Sequence, residues 1–209
     1  MKLALRAAAA ASAGGLVILI SGVPTRATNT AAPVLAALSQ RNDAISSFTF
    51  HANIAMAMHH FPWLHFHLAG TGDYVRGDHY LLHLTNGPPF ASKMHDIDLS
   101  MIDPSLWPGR YRYTPDGQSN GDTLFALQSA RDNSVKSATV AINPLTGPHW
   151  VDVTYTEGTH IHMVVSSNNV DGYLLPVSLT ADVDCPHMPL TADAAFSDYS
   201  ITAPVHEDH

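Results

Sequence analysis

Between positions 48 and 58 the chain alternates, with Phe48, Phe50, Ala52, Ile54, Met56 and Met58 at even positions and Thr49, His51, Asn53, Ala55 and Ala57 at odd ones. An extended chain sends successive side chains to opposite faces, so this run predicts a strand with one apolar and one mostly polar face. The helical template fails, because the large apolar side chains would scatter around the axis instead of forming one stripe. Eleven residues is long for a strand, which fits a bent strand in a large sheet. A face of two Phe, one Ile and two Met is either hydrophobic core or the wall of an apolar cavity.

The same logic extends along the chain. After a turn at Phe61-Pro62, Leu64, Phe66 and Leu68 alternate with His65 and His67, which predicts an antiparallel neighbour that pairs with the first strand over 66–75. Gly70 and Gly72 are expected to bend it. Arg76-Gly77-Asp78 reads as a turn into a strand over 79–84, which Asn86-Gly87-Pro88-Pro89 ends. Met94, Ile97, Met101 and Ile102 recur at near-helical spacing and predict a short helix before Trp107-Pro108. Upstream, Pro33 opens another helical pattern, with Leu35, Leu38 and Ile45 on one side and Gln40, Arg41 and Asp43 away from it. Strand-like runs follow at 110–113, 123–130, 135–142, 149–155, 159–166, 173–180 and 195–203. Asp116-Gly117, Asn120-Gly121, Asn143-Pro144, Glu157-Gly158 and Asp171-Gly172 supply the turns between them. Ten strands, two helices and no strand-helix-strand alternation predict a mainly β domain over 28–204, built as one curved, mostly antiparallel sheet or open barrel.

Composition adds export. Lys2 and Arg6, an apolar run over 7–20 and the small residues of Thr25-Arg26-Ala27 predict a secretory signal peptide at 1–27. The apolar run falls short of the roughly 20 residues a spanning helix needs. A periplasmic or secreted location follows. Loss of Lys2, Arg6 and Arg26 with the leader moves the formal charge from −8 to −11, which leaves no basic footprint for nucleic acid or an anionic membrane. The single cysteine, Cys185, excludes an intramolecular disulfide and a cysteine metal cluster, and it lies too far downstream for lipid attachment at the leader. Stability must then come from a hydrophobic core. The tail over 205–209 is expected to be disordered.

The candidate chemistry is carried by histidines. His65 with His67, and His160 with His162, each put two imidazoles on one strand face, a spacing that can chelate Zn²⁺, Cu²⁺ or Ni²⁺. His51 and His59 share the polar face of the first strand; the competing reading is a set of solvent-facing imidazoles. The stretches 116–121 and 167–172 approach a calcium-loop pattern but lack its acidic positions, and hairpin turns account for both. Nucleophile elbows, zinc-protease motifs and phosphate loops are absent from the sequence. Cys185 follows Asp182 and Asp184, a poor setting for a nucleophile. Neither an enzyme nor a cofactor is expected.

Several segments carry a further signal in their order. Ser47-Phe48-Thr49-Phe50, Asn143-Pro-Leu-Thr-Gly147, Asp171-Gly-Tyr-Leu-Leu-Pro176 and Phe196-Ser-Asp-Tyr-Ser-Ile201 follow a leader and a short helix. Together, over most of the chain, they resemble the LolA/LolB-like outer-membrane lipoprotein carrier superfamily. The resemblance implies an unclosed antiparallel β-barrel, or strongly curved sheet, with two or three short helices packed in its mouth over an apolar cavity. It implies a soluble, monomeric periplasmic carrier that binds lipid or lipoprotein acyl chains without catalysis and meets an envelope partner for delivery. Lipid would then touch Phe48, Phe50, Ile54, Met56, Met58, Leu64, Phe66 and Leu68, and Ile54→Glu would fold but lose binding. Such carriers also latch the lid with an arginine on a cavity strand; residues 48–58 contain none, and Arg76, Arg110 and Arg112 are the substitutes here. The alternatives are a periplasmic metal-binding protein using the two histidine pairs, and an envelope interaction protein whose apolar face is only core.

Overall fold

A computed structural model describes residues 31–85, 96–130, 132–186 and 188–203. The expected leader, the Asn86-Gly87-Pro88-Pro89 turn, Met94 and the tail at 205–209 lie outside the described residues. In chain order the elements are α1 (Ala31–Arg41), β1 (Ser47–Met58), β2 (His65–Val75), β3 (His79–Leu84) and β4 (Asp96–Asp98). Two 3₁₀ turns, Ser100–Ile102 and Pro104–Leu106, come next. Then follow β5 (Tyr111–Ser119), β6 (Asp122–Ser129), β7 (Val135–Asn143), β8 (Gly147–Tyr155), β9 (His160–Val170), β10 (Tyr173–Asp184) and β11 (Leu190–Thr202).

All eleven strands form one antiparallel sheet in the order β4-β3-β2-β1-β11-β10-β9-β8-β7-β6-β5. Two meanders, β1 to β4 and β5 to β11, are zipped together where β1 pairs with β11. The edges, β4 and β5, do not pair, so the barrel stays open. The segment joining β4 to β5 must therefore cross from one edge of the sheet to the other. It does so through the concave side, where Leu99, Ile102, Leu106 and Trp107 are buried. The turn Ser100–Ile102 touches both β3 and β8, which have five strands between them, so the sheet wraps this plug. Trp107 is fully buried, donates its indole N–H to the Met101 carbonyl at 3.1 Å and stands edge-on to Phe125.

β1 has the expected faces: Phe48, Phe50, Ala52, Ile54 and Met58 point inward and are buried, while Thr49, His51 and Asn53 face out. It pairs with β2 from Ser47 opposite Val75 to Ala57 opposite His65, as the alternation requires. The Phe50 ring lies over Gly72, its cross-strand partner; a Cβ there would fall 1.8 Å from ring carbons. Gly72 is thus the floor on which an aromatic nest of Phe48, Phe50, Tyr74, Tyr80, Phe196 and Tyr199 is assembled. On β11 the inward residues change phase at a bulge, from Ala194 and Phe196 to Tyr199 and Ile201, with Asp198 at φ 53°. The Tyr199 hydroxyl donates to the Pro176 carbonyl of β10 and braces the bend.

Three expectations need correction. The near-helical spacing of Ile97, Met101 and Ile102 does not make an α-helix. Asp98 and Asp103 accept from Ser100 and Ser105 backbone N–H groups at 2.8 and 2.9 Å, so each aspartate starts a separate tight turn. With α1, the two 3₁₀ turns make up the short helical elements expected at the mouth. Asp116-Gly117 is a bulge inside β5 rather than a turn, and the hairpin closes at Asn120-Gly121. Leu64 sits before β2, in a turn where its N–H bonds Phe61, and is 37% exposed.

A lidded cavity at the mouth of the sheet

α1 lies across one end of the concave sheet. Its Leu35 and Leu38 look into a cavity of about 480 Å³, within the roughly 300–1,000 Å³ typical of small-molecule pockets. The sheet contributes Phe48 from β1, Tyr74 from β2, Tyr80 from β3 and Tyr113 from β5. The plug contributes Ile102, Asp103, Pro104, Ser105 and Pro108, and the hairpin ends add Gly147, Pro148, Ser167, Leu174, Leu175 and Pro176. The helix meets the plug turn Pro104–Leu106 more closely than any other element. It roofs Gly147 at the start of β8 without crowding it: a Cβ there would stand in ordinary contact, 3.5 Å from Leu174 and 4.0 Å from Leu38.

The loop after α1 is held by Arg76, from the β2–β3 turn. Its Nε donates to the Ile45 carbonyl at 2.8 Å, Nη1 to Asp43 Oδ1 at 2.7 Å, and Nη2 to the Asn42 carbonyl. The guanidinium fork thus ties the root of the lid to the sheet, although no arginine stands on β1. Asn42 adds a bond from its Nδ2 to the Leu174 carbonyl at 3.2 Å. Arg110 sits elsewhere, against the Asp78 carbonyl and 3.6 Å from Asp98, and Arg112 is exposed on β5.

A few polar groups enter this apolar space. Tyr74 Oη lies 3.1 Å from Ser105 Oγ; burial, helped by the Asp103 carboxylate, pushes the phenol up to about 12. Tyr80 is 2% exposed, and burial holds its phenol neutral well above the ordinary tyrosine range. Its hydroxyl and the Asn42 Oδ1 are buried without a hydrogen-bond partner among the described residues. The sequence offered Arg76 only as one of three latch candidates and gave no sign of Tyr74 or Asn42; the only trace of Tyr80 was its alternation in phase with Leu82.

Of the residues expected to touch lipid, Phe48 lines this cavity. Phe50, Ile54, Met58 and Leu68 are buried in the sheet's packed interior, Met56 and Phe66 are half-buried, and Leu64 is exposed. Phe61, Trp63 and Leu64 stand exposed at the opposite end of β1, beside the loop carrying exposed Met188.

The histidine pairs do not converge. His65 and His67 face out on β2, His160 and His162 on β9, with β1, β11 and β10 between them. His162 Nδ1 lies 2.8 Å from Asp152 Oδ1, and His59 Nε2 2.8 Å from Thr191 Oγ1. His51 is opposite Thr71, away from His65 and His67. Among the described residues no three His, Cys, Asp or Glu side chains gather as a metal site. Asp182 and Asp184 face solvent on β10, and the Cys185 thiol donates to the Met188 carbonyl.

An open antiparallel sheet that wraps a plug, with a helix across its mouth, is a LolA-like fold. Solved structures share it. A LolA superfamily protein from Nitrosomonas europaea matches with a TM-score of 0.58 at 11% identity, over 83% of this chain and 94% of that one. A DUF1329 family protein from Desulfovibrio piger gives 0.57 at 8% identity, over 84% and 92%. A Vibrio parahaemolyticus domain described as an outer membrane lipoprotein-sorting protein gives 0.54 at 9% identity, over 83% and 94%. No protein-family model and no curated protein matches the sequence. No helix among the described residues is long and apolar enough to cross a membrane.

Proposed function

We propose that the protein is an exported, non-catalytic carrier that holds one lipid or lipoprotein acyl chain in the cavity beneath α1. The observation that carries this reading is the cavity itself: a largely apolar space of about 480 Å³ roofed by a single short helix. An 11-residue helix is too short to be stable alone, so its position depends on the few surfaces it covers. Those are the plug and the hairpin ends, with Arg76 clamping the loop behind it. A chain entering between α1 and the plug would exchange one apolar contact for another, which keeps the cost of loading and release low. The lipoprotein-sorting description of a structural neighbour supports the same reading. The leader would be removed on export, the mature domain would act as a monomer, and an envelope partner would receive the cargo.

Native mass spectrometry of the protein purified from its own cell envelope tests this. A population carrying a lipid-sized mass, lost on delipidation and restored by added lipid, is expected. Protein that is always ligand-free, and that binds no lipid or fluorescent apolar probe, would sink the carrier reading.

A further inference from the structure

Seven large apolar side chains stand exposed among the described residues, and four of them, Phe61, Trp63, Leu64 and Met188, share one end of the sheet. Phe61, Trp63 and Leu64 cap the β1–β2 hairpin, whose last pair is Ala57 opposite His65. Met188 is on the neighbouring β10–β11 loop, and the His59 N–H donates to the Pro189 carbonyl at 3.0 Å, so the two hairpin ends are joined. Trp63 is 75% exposed and Phe61 49%, although their rings meet edge to face with centroids 5.8 Å apart. The turn is held by its backbone, through the Leu64 N–H on the Phe61 carbonyl at 2.8 Å, and not by burial of those rings. None of the four side chains lines the cavity. A cluster of this kind on a hairpin end marks a contact site.

Charge and area together name the occupant. Residues 59–65 and 185–189 contain no Lys, Arg, Asp or Glu, in a chain with 10 basic and 18 acidic residues. An apex cleared of formal charge and tipped by Trp and Phe has the composition of segments that sit at the headgroup boundary of a bilayer. Even fully covered, the four side chains offer about 400 Å², half of the roughly 800 Å² that each partner gives to a stable protein interface. A bilayer needs no matching surface and takes up apolar side chains one by one. We propose that this apex docks the protein on a zwitterionic lipid bilayer, with Phe61 and Trp63 inserted at the headgroup boundary. The exposed Asp182 and Asp184 stand just behind it on β10 and disfavour an anionic surface. β1 runs from Phe48 at the cavity to Met58 at the apex, so docking turns the cavity mouth away from the membrane.

Co-sedimentation of protein purified from the cell envelope with phosphatidylcholine vesicles at neutral pH tests this. The parent is expected to sediment with the vesicles, and no more strongly when phosphatidylglycerol is added. The double variant Phe61→Ser, Trp63→Ser should lower the partition coefficient by at least about tenfold. Its circular dichroism should match the parent's, because both side chains are exposed. Bromine-labelled phosphatidylcholine should quench tryptophan emission in the parent but not in Trp63→Phe, where only Trp107 and Trp150 remain. A parent that stays in solution, sedimentation unchanged in the double variant, quenching that persists in Trp63→Phe, or binding that strengthens with phosphatidylglycerol overturns the proposal. A parent that ignores vesicles but forms a dimer that the double variant dissociates gives the apex to a second copy and overturns it too. All of these outcomes leave the carrier reading standing, because that reading rests on the cavity at the other end of β1 and on the mass of bound lipid.

Discussion

Tyr80 and His79 are chain neighbours on opposite faces of β3, and each sets a different balance between stability and chemistry. Tyr80 carries a buried hydroxyl with no partner among the described residues. An orphaned buried polar group is a standing cost, so Tyr80→Phe is expected to stabilise the empty protein by about 1 kcal/mol, or roughly 3 °C in Tm. Thermal unfolding of the ligand-free protein measures this; a fall in Tm would mean that the hydroxyl bonds water held in the cavity. His79, on the outer face, lies 2.8 Å from Asp73 and 2.9 Å from Asp78, and these hydrogen bonds, Asp73 first, raise its imidazole above the ordinary histidine value. A raised folded-state value means that the pairing stabilises fully below about pH 6.5, the unfolded value, and is lost as pH rises through the higher folded one. Urea midpoints of parent and His79→Gln should therefore differ more at about pH 5.5 than at about pH 8.5. A gap that widens toward high pH would contradict the pairing.

At the scale of elements, β1 and β2 show how much the alternation could say. Period-two patterning at 48–58 predicted the buried face of β1 and its pairing with β2, because a one-residue slip would turn Phe50 and Ile54 to water. Gly72, read from the sequence only as a bend, owes its role to the same register, which sets it opposite Phe50. Gly72→Ala would drive a methyl into the Phe50 ring, which is pinned among Tyr80, Phe196 and Tyr199 and cannot swing away. A loss of about 2–3 kcal/mol in urea unfolding is expected, the usual cost of overpacking a filled core. A neutral result would mean that the nest is loose. The pattern failed where chemistry other than alternation decides. On β11 the bulge at Asp198 shifts the inward phase by one, so a strict alternating template starts late and misses Leu190 to Ala194. At 96–106 two aspartate-capped turns imitate helical spacing. The cavity's polar atoms were illegible for a different reason. Asn42, Tyr80 and Leu174 lie far apart in sequence and line one cavity only once the strands are assembled.

For the whole molecule, the sheet divides its apolar surface into two zones with different duties. Along most of β1, β2 and β11 the inner face is filled, and Ile54, 7% exposed, packs between Leu68 and Ala194. At the mouth, where α1 and the plug replace a second layer, the filling is incomplete and the cavity remains. The expectation that Ile54→Glu would fold and merely lose ligand therefore changes. An unpaired carboxylate at that position costs several kcal/mol, a large share of a domain's total of about 5–15 kcal/mol, so the variant is expected to unfold. Leu38 is the position that separates the two zones. It is half-buried on α1 and looks into the cavity, so in Leu38→Glu the carboxylate can turn toward the solvent at the mouth while the sheet stays intact. Leu38→Glu should keep the parent's circular dichroism and nearly its urea midpoint, yet lose at least tenfold in binding of an apolar fluorescent probe. A charge on the cavity wall removes the surface the probe uses without touching the core. The reverse pattern, with Ile54→Glu folded but unable to bind and Leu38→Glu unaffected, would move the ligand onto the strand face and leave α1 as ordinary packing.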